Sequence, residues 1–337
     1  MRLERTVVQE RLTNVLRRFP ERRILVIGDA IADQFVHGAI SRVSREAPVF
    51  IIRHEHTETV PGGAANCAAN LSALGAKVSL VSIVGEDESG RALTEKLKDA
   101  GVSCDGVINS TSVQTTTKVR ILAGQSHSTR QQVVRIDYEG AEFKNSVLKA
   151  QVMALVNEQS RDADAIIISD YNYGVADEDL GSLVRDVASA REIPVFIDSR
   201  FRLLSFPGFT SATPNEAEVE QLLGTPTGSV EELAVAGEEL RKRLGYRALL
   251  ITRGGHGMIL LEDGVAPLDL AAVGANEPVD GTGAGDTVIA TYSLAVASKA
   301  SFRDATRLAN YAGGLVVMKR GTATVTSDEL EYSIMHS

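Results

Sequence analysis

The stretch "EPVDGTGAGDTVIATYSLAVA", residues 277–297, sets Asp280 and Asp286 around a run of small residues and then turns apolar. Gly281, Gly283 and Gly285 carry no Cβ, so neighbouring backbone N–H groups can converge on one point. The segment from about Gly285 to Lys299 predicts a helix, whose unpaired N–H groups and positive dipole end add to that point. The loop is therefore an anion site at the mouth of an apolar helix. A carboxylate inside it is a poor choice for holding phosphate, because like charges repel. It is a sensible choice for taking a proton from a hydroxyl that attacks phosphate. Asp286 is equally the acid that a helix dipole favours in a first turn, and the loop alone leaves both readings open. It is neither a P-loop, which needs Gly-Lys-Ser or Gly-Lys-Thr, nor a G-x-G-x-x-G dinucleotide turn.

Around this loop, short Val- and Ile-rich runs alternate with helical patterns. "RILVIGD" (23–29), "KVSLVSIVG" (77–85), "DAIIISD" (164–170), "IPVFID" (193–198) and "ALLITRGG" (248–255) predict buried strands. "AANCAANLSALG", "SGRALTEKLKDAG", "DEDLGSLVRDVASA" and "SVEELAVAGEELRKRLG" carry apolar residues at three- and four-residue spacing, as helices do. This alternation predicts an α/β fold with a mainly parallel sheet covered on both faces, where ligands sit beyond the carboxyl ends of the strands. Residues 37–60 and 113–137 break it with period-2 patterns. They predict antiparallel strands forming a small lid over the strand ends. No repeat, low-complexity tract or linker interrupts the chain, so residues 1–337 are expected to form one domain with the lid inserted.

The formal net charge of −9 argues against nucleic acid or an acidic membrane as partner. No apolar run approaches the length of a membrane span, and "MRLERTVVQERLTNVLRRF" predicts an amphipathic helix instead of a secretory signal. The only cysteines, Cys67 and Cys104, fit a reducing compartment, and a cytoplasmic protein is expected.

Three further places carry chemistry. "PGGAANCAANLSALG" (61–75) is a second glycine turn, Gly62 and Gly63, with Asn66 in the first turns of the helix it opens; that amide can serve a helix end or a sugar hydroxyl. "GDAIAD" (28–33) puts two carboxylates after a strand, where one can chelate vicinal hydroxyls and the other cap a turn. "TPNEAEVEQLLG" (213–224) sets Asn215 and Glu218 on one helical face, a spacing that serves a hydrated Mg²⁺ or a capping box.

In this order and over about residues 22–330, these stretches resemble the ribokinase-like carbohydrate kinases of the PfkB family. "GGAAN", "TPNEAE" and "DGTGAGD" carry the resemblance. It implies a ribokinase-like three-layer α/β/α fold with a small β-sheet lid, and transfer of the ATP γ-phosphoryl to a sugar or sugar-phosphate hydroxyl with Mg²⁺. It further implies that Asp286 is the catalytic base and that the backbone of Gly283, Ala284 and Gly285 is the anion hole. Asp33, Gly62, Gly63 and Asn66 match sugar-binding positions. Asn215 and Glu218 match the pattern that places Mg²⁺ and the ATP phosphates. Thr252, Gly254 and Gly257, in "TRGGHGM" (252–258), match the loop passing the nucleotide, and Asn310 and Gly314 the helix lining the adenine pocket. Asp280 matches a structural position or the surroundings of a monovalent cation.

Within that family the chain is most similar to heptose 7-phosphate kinases, through "SRVSREAPV" (41–49), "TKVRIL" (117–122), "RQQVVRID" (130–137), "ITRGGHGM" (251–258) and "GTATV" (321–325). Lys118, Arg120, Arg130 and Arg135 crowd the second lid segment of an acidic protein, which suits capture of a phosphorylated sugar. Positive charges on an exposed β-edge that discourage pairing are the plainer explanation, on a level footing for Arg130. Two departures fall where substrate is read. Tyr173 replaces the lysine of D-Y-A-K-G in "DYNYG", and Arg200 replaces that of D-P-K-G in "DSRF". "GQSHST" (124–129) is an insertion in the lid. Kinases for other sugars, and a non-catalytic sugar or nucleotide sensor, are therefore the rival readings. A dinucleotide oxidoreductase ranks below both. The lid edges need cover and predict a homodimer. His54 and His56 alternate on one strand face but lack a third metal ligand, and Cys67 is expected to be a buried packing residue.

Overall fold

The computed structural model describes residues 2–124, 130–140, 145–274 and 278–336, with side chains from residue 6 onward. The described residues form a nine-stranded sheet and a four-stranded one. The larger contains β1 (Arg23–Gly28), β4 (Lys77–Gly85), β5 (Ser103–Ser110), β8 (Ala165–Asp170), β9 (Val195–Ser199), β10 (Ser211–Ala212), β11 (Ala248–Thr252), β12 (Met258–Glu262) and β13 (Val265–Leu270). Their order is β13-β12-β11-β10-β9-β8-β1-β4-β5, parallel from β5 to β11, with β12 and β13 antiparallel at one edge.

Successive strand residues point to opposite faces, and here each face has its own core. Ile24, Val26, Leu80, Ile167 and Leu250 join one cluster. Leu25, Ile27, Val81, Ile168 and Ile251 join the other. Both faces are buried, which is why these strands read as unbroken apolar runs. The helices between them start where a side chain caps them. Asp87 accepts from Gly90 N–H, Asp177 from Leu180 N–H and Ser229 from Glu232 N–H. This is the predicted α/β architecture, helices on both faces of a mainly parallel sheet. No helix among the described residues is long and apolar enough to cross a membrane.

The smaller sheet is β2 (Ala30–Val43), β3 (Phe50–Gly63), β6 (Thr117–Gly124) and β7 (Gln131–Tyr138), in the order β3-β2-β6-β7. It corrects the expected lid in two ways. Its central pair, β2 with β6, is parallel, whereas β2–β3 and β6–β7 are antiparallel. A strand that returns after a long crossover through helices and the main sheet can pair in parallel; only neighbours joined by a short turn must be antiparallel. The first lid segment also begins at Ala30, so Asp33 lies on a lid strand beside Lys118 of β6. The lid insertion "GQSHST" lies outside the described residues except for Gly124.

Candidate active site

Gly283 has φ 77° and ends the glycine loop at the start of the Ala284–Ala297 helix. A Cβ there would meet Asn66 Nδ2 at 2.5 Å, so only glycine lets the loop lie against that amide. Ala284 N–H is used within the turn, on Gly281 O at 3.2 Å. The N–H groups of Gly283, Gly285 and Asp286 have no acceptor among the described residues. The anion hole expected from residues 283–285 thus keeps two of its three amides free and gains that of Asp286.

Asp286 is buried, 3 % exposed. Its Oδ2 accepts from Asn66 Nδ2 at 2.8 Å and its Oδ1 from the Tyr171 hydroxyl at 2.9 Å. Asn66 is itself oriented by a chain of amides. Asn70 Nδ2 donates to Asn66 Oδ1 at 3.0 Å, and Thr287 Oγ1 donates to Asn70 Oδ1 at 3.0 Å. With its oxygen so engaged, Asn66 must turn its NH₂ toward the carboxylate. Burial pushes Asp286 up to about 7, against the pull of the Asn66 and Tyr171 hydrogen bonds. The group therefore stands between protonated and ionised near neutral pH, as a general base should.

The two carboxylates of "GDAIAD" divide their work. Asp29 accepts from the N–H groups of Tyr171, Tyr173 and Val175 at 2.9, 3.0 and 3.1 Å, and so clamps the turn after β8. Burial pushes it up to about 6. Asp33 pairs with Arg120 at 2.5 Å and accepts from Thr322 Oγ1 at 3.2 Å. Gly62 makes room for it, since a Cβ there would meet Asp33 Oδ2 at 2.5 Å; at Gly63, φ 57°, a Cβ would strike Asp29 O. Asp280 holds the loop to its neighbour. It accepts from Thr282 N–H and Oγ1 and from Gly321 N–H, bonds that outweigh its burial and keep it below the usual carboxylate value.

The lid cations do not all converge. Lys118 is buried, with its ammonium 5.5 Å from the Tyr171 ring centre and 5.8 Å from that of Tyr173. Burial pulls it below its ordinary value, against the attraction of Asp33. Arg200 lines a cavity of about 1130 Å³ with Tyr171, Tyr173 and Glu139. Tyr173, at the lysine position of the similar kinases, gives its hydroxyl to Glu139 at 2.6 Å. Arg135 is half exposed and paired with Asp137 at 2.8 Å. Arg130 is bound to Glu55, outside this cluster.

Asn215 and Glu218 form the capping box of the Glu216–Leu223 helix. Glu218 N–H donates to Asn215 Oδ1, and Asn215 N–H donates to Glu218 Oε2. Asp198 lies near the end of β9, paired in the ladder with Ser169, and its carboxylate makes no side-chain hydrogen bond or ion pair among the described residues. Burial and then the charges of Glu218, Asp286 and Asp170 push it well above its ordinary value. Burial also raises Glu218. Two neighbouring acids held up in this way fit a hydrated divalent cation, which would relieve both. Of the residues expected on the nucleotide side, Thr252 and Gly254 lie at the end of β11 and Asn310 and Gly314 in the Phe302–Val316 helix. Thr252 pairs with Asn215, and the Gly254–His256 turn follows β11. A Cβ at Gly257 would meet Leu270 O at 1.9 Å, and one at Gly314 would meet Val273 O at 2.0 Å. Asn310 Nδ2 donates to Ala271 O at 2.8 Å.

Sequence reading missed Tyr171, Asn70 and Thr322, and marked Asp198 only as a strand-end residue of the kind expected at a site. "DYNYG" and "GTATV" contain Tyr171 and Thr322, but only the fold shows whom they touch. His54 bonds Thr57, and His56 stacks on His37 with ring centres 4.3 Å apart. No metal-ligand cluster of His, Cys, Asp and Glu occurs among the described residues. Both cysteines are free, and Cys67 is buried.

The family model for pfkB family carbohydrate kinases matches residues 21–329. The chain belongs to the PfkB family. It is thus a carbohydrate kinase, a phosphotransferase with an alcohol as acceptor, and ATP binding goes with the family. Members similar to it include the bifunctional protein HldE of Nitrosococcus oceani, 41% identical over 96% of this chain and 66% of the relative. That of Marinomonas sp. is 39% identical over 93% of this chain and 64% of the relative. The chain thus spans less than two thirds of the length of these relatives. Among solved structures, Arabidopsis thaliana ribokinase complexed with ribose and ATP superposes with TM-score 0.72 at 24% identity, covering 94% of this chain and 99% of that one. Escherichia coli phosphofructokinase-2 in complex with potassium gives 0.77 at 19%, covering 94% and 98%. The fold is ribokinase-like.

Proposed function

We propose that this kinase phosphorylates a sugar that already bears a phosphate, in particular the anomeric hydroxyl of a heptose 7-phosphate. The observation that carries this is the cationic pocket beside the base. Lys118 sits buried over Tyr171, whose hydroxyl touches Asp286, and Arg200 lines the adjoining cavity. A buried cation such as Lys118 is costly unless an anion arrives to meet it. The HldE relatives support the same substrate class.

In this reading the acceptor hydroxyl gives its proton to Asp286 as it attacks the γ-phosphorus of ATP. The free amides of Gly283, Gly285 and Asp286 stabilise the charge that develops. Asp33, set by Gly62, binds acceptor hydroxyls, with Gly63 and Asn66 shaping the same wall. Arg200 takes the distal phosphate, with Lys118 between it and Asp286; Arg120 holds Asp33, and Arg135 adds to the field from the outer strand. Glu218 with Asp198, beside Asn215, would hold Mg²⁺ through water, and the ion supplies charge neutralisation on the ATP phosphates. The adenine side falls to Thr252, Gly254, Gly257, Asn310 and Gly314. A monovalent cation beside Asp280 belongs to the same reading. Its support is the potassium complex of a neighbour in fold and an ionised acid at the loop edge.

The described chain acts as one domain in the cytoplasm in this reading, and as a homodimer through the lid. All of β7 is exposed, including Val133, Val134, Ile136 and Tyr138, and an uncovered apolar edge strand favours pairing with a second copy. A kinase for an unphosphorylated sugar is the second reading. It is favoured by Tyr173, which puts a neutral hydroxyl tied to Glu139 where similar kinases carry a lysine. Coupled measurement of ADP release over free sugars and sugar phosphates, heptose 7-phosphate included, separates them. Turnover confined to unphosphorylated sugars would overturn the phosphate-bearing acceptor. No turnover with any sugar would favour a sensor.

A further inference from the structure

We propose that Tyr171 is a positioning residue for the base, its hydroxyl holding Asp286 Oδ1 so that the carboxylate meets the acceptor in one orientation. This rests on reading Asp286 as the base. The tyrosine is placed for the task by backbone alone. Asp29 takes the N–H groups of Tyr171, Tyr173 and Val175, while Asn172 and Gly174 adopt φ 65° and 104° to let the turn close around it. The ring is thereby held under the Lys118 ammonium at 5.5 Å. A cation over the ring face draws electron density from it and strengthens the phenol as a donor.

A carboxylate held at one oxygen can still swing about its Cβ–Cγ bond. Asn66 holds Oδ2 and Tyr171 holds Oδ1, so the plane of Asp286 is fixed from both sides. The lone pairs left over are those available to the reacting hydroxyl. The Tyr171 bond also favours the ionised carboxylate, against the burial that raises it. Tyr171 as mere filling would behave the same as phenylalanine.

The test is Tyr171→Phe, which removes one oxygen. The acid limb of kcat/KM against pH should move up by about one unit, since a lost hydrogen bond disfavours the charged form. At pH 7 turnover should fall roughly fivefold and recover toward wild type near pH 9, with KM for ATP unchanged. The protonation of Asp286, followed by carboxyl infrared difference spectra against Asp286→Asn, should shift the same way with no acceptor present. Should the phenylalanine variant fail to fold, 3-fluorotyrosine at position 171, a stronger donor, should move the limb down. An unmoved limb, or a loss equal at every pH, overturns the inference. If Asp286→Asn kept turnover, the base reading itself would fall, while the infrared shift would still report the Tyr171 contact.

Discussion

The Asp33–Arg120 pair joins the two lid strands that meet in parallel, and its removal should separate stability from activity. The side chains are 8% and 11% exposed, and the contact is 2.5 Å. In Arg120→Met, Asp33 keeps the neutral Thr322 hydroxyl at 3.2 Å and the attraction of Lys118, with no direct ion pair among the described residues. Stranding one member of a buried pair costs about 3–5 kcal/mol, and a pair that borders an open site belongs at the low end, about 3 kcal/mol. The entropy of unfolding, about 2.1 cal/mol/K per residue, amounts to roughly 0.7 kcal/mol/K for a chain of 337 residues. The melting temperature should therefore drop by about 4 °C. Adding Asp33→Asn removes the stranded charge and should restore more than half of that drop. Turnover should not return with it if Asp33 binds the acceptor hydroxyls as proposed. The assays are differential scanning calorimetry and coupled ADP release across the double-mutant cycle. Melting of Arg120→Met within 1 °C of wild type, with no effect of the second substitution, would show that water screens the pair and that it does not lock the lid.

Burial raises Asp286 to about 7 and Asp29 to about 6, both above the unfolded value near 4. The folded state then holds protons that the unfolded state releases, so their contribution is full below about pH 4 and is lost as pH rises through 6 to 7. Activity runs the other way, since the base must be ionised. Asp286→Asn should thus abolish turnover, keep ATP binding, and flatten the fall of melting temperature between pH 5 and 8; an unchanged slope would count against a raised Asp286. For the lid, Ile136→Asp, at a side chain 41 % exposed on β7, should halve the sedimenting mass. A wild-type chain that sediments as a monomer at micromolar concentration would dispose of the dimer.

The glycine loop and the helix it opens were legible because the turn is built from backbone. Gly283 and Gly285 appear in the sequence as the absence of side chains, and Asp286 as the acid that follows them. The parallel sheet was legible for a similar reason, since strands buried on both faces show as uninterrupted Val and Ile. The acceptor side is assembled from side chains of separate elements. Tyr171 follows β8, Asn66 and Asn70 lie in the Ala64–Ala73 helix, and Thr322 lies near the far end of the chain; no spacing relates them. The period-2 lid segments gave strands but could not give their direction, since alternation is the same in parallel and antiparallel pairs. "N-x-x-E" was ambiguous for a physical reason. The same two side chains close a capping box and leave a carboxylate beside Asp198.

Selection of the acceptor therefore turns on whether the cations at the turn after β8 form one binding surface. Tyr173 gives its hydroxyl to Glu139 and brings a negative partner to the cavity rim, where a lysine would bring a positive charge. Arg200 compensates from the strand opposite, but it is exposed and stacks on Phe201 at 5.6 Å, whereas Lys118 is buried under no acid's direct contact. A planar guanidinium binds phosphate through two parallel bonds, an ammonium as a point charge. On the proposed reading Lys118 meets the part of the acceptor nearest Asp286 and Arg200 its far phosphate. Substitution of Arg200 should weaken phosphorylated acceptors selectively, while substitution of Lys118 should weaken every acceptor.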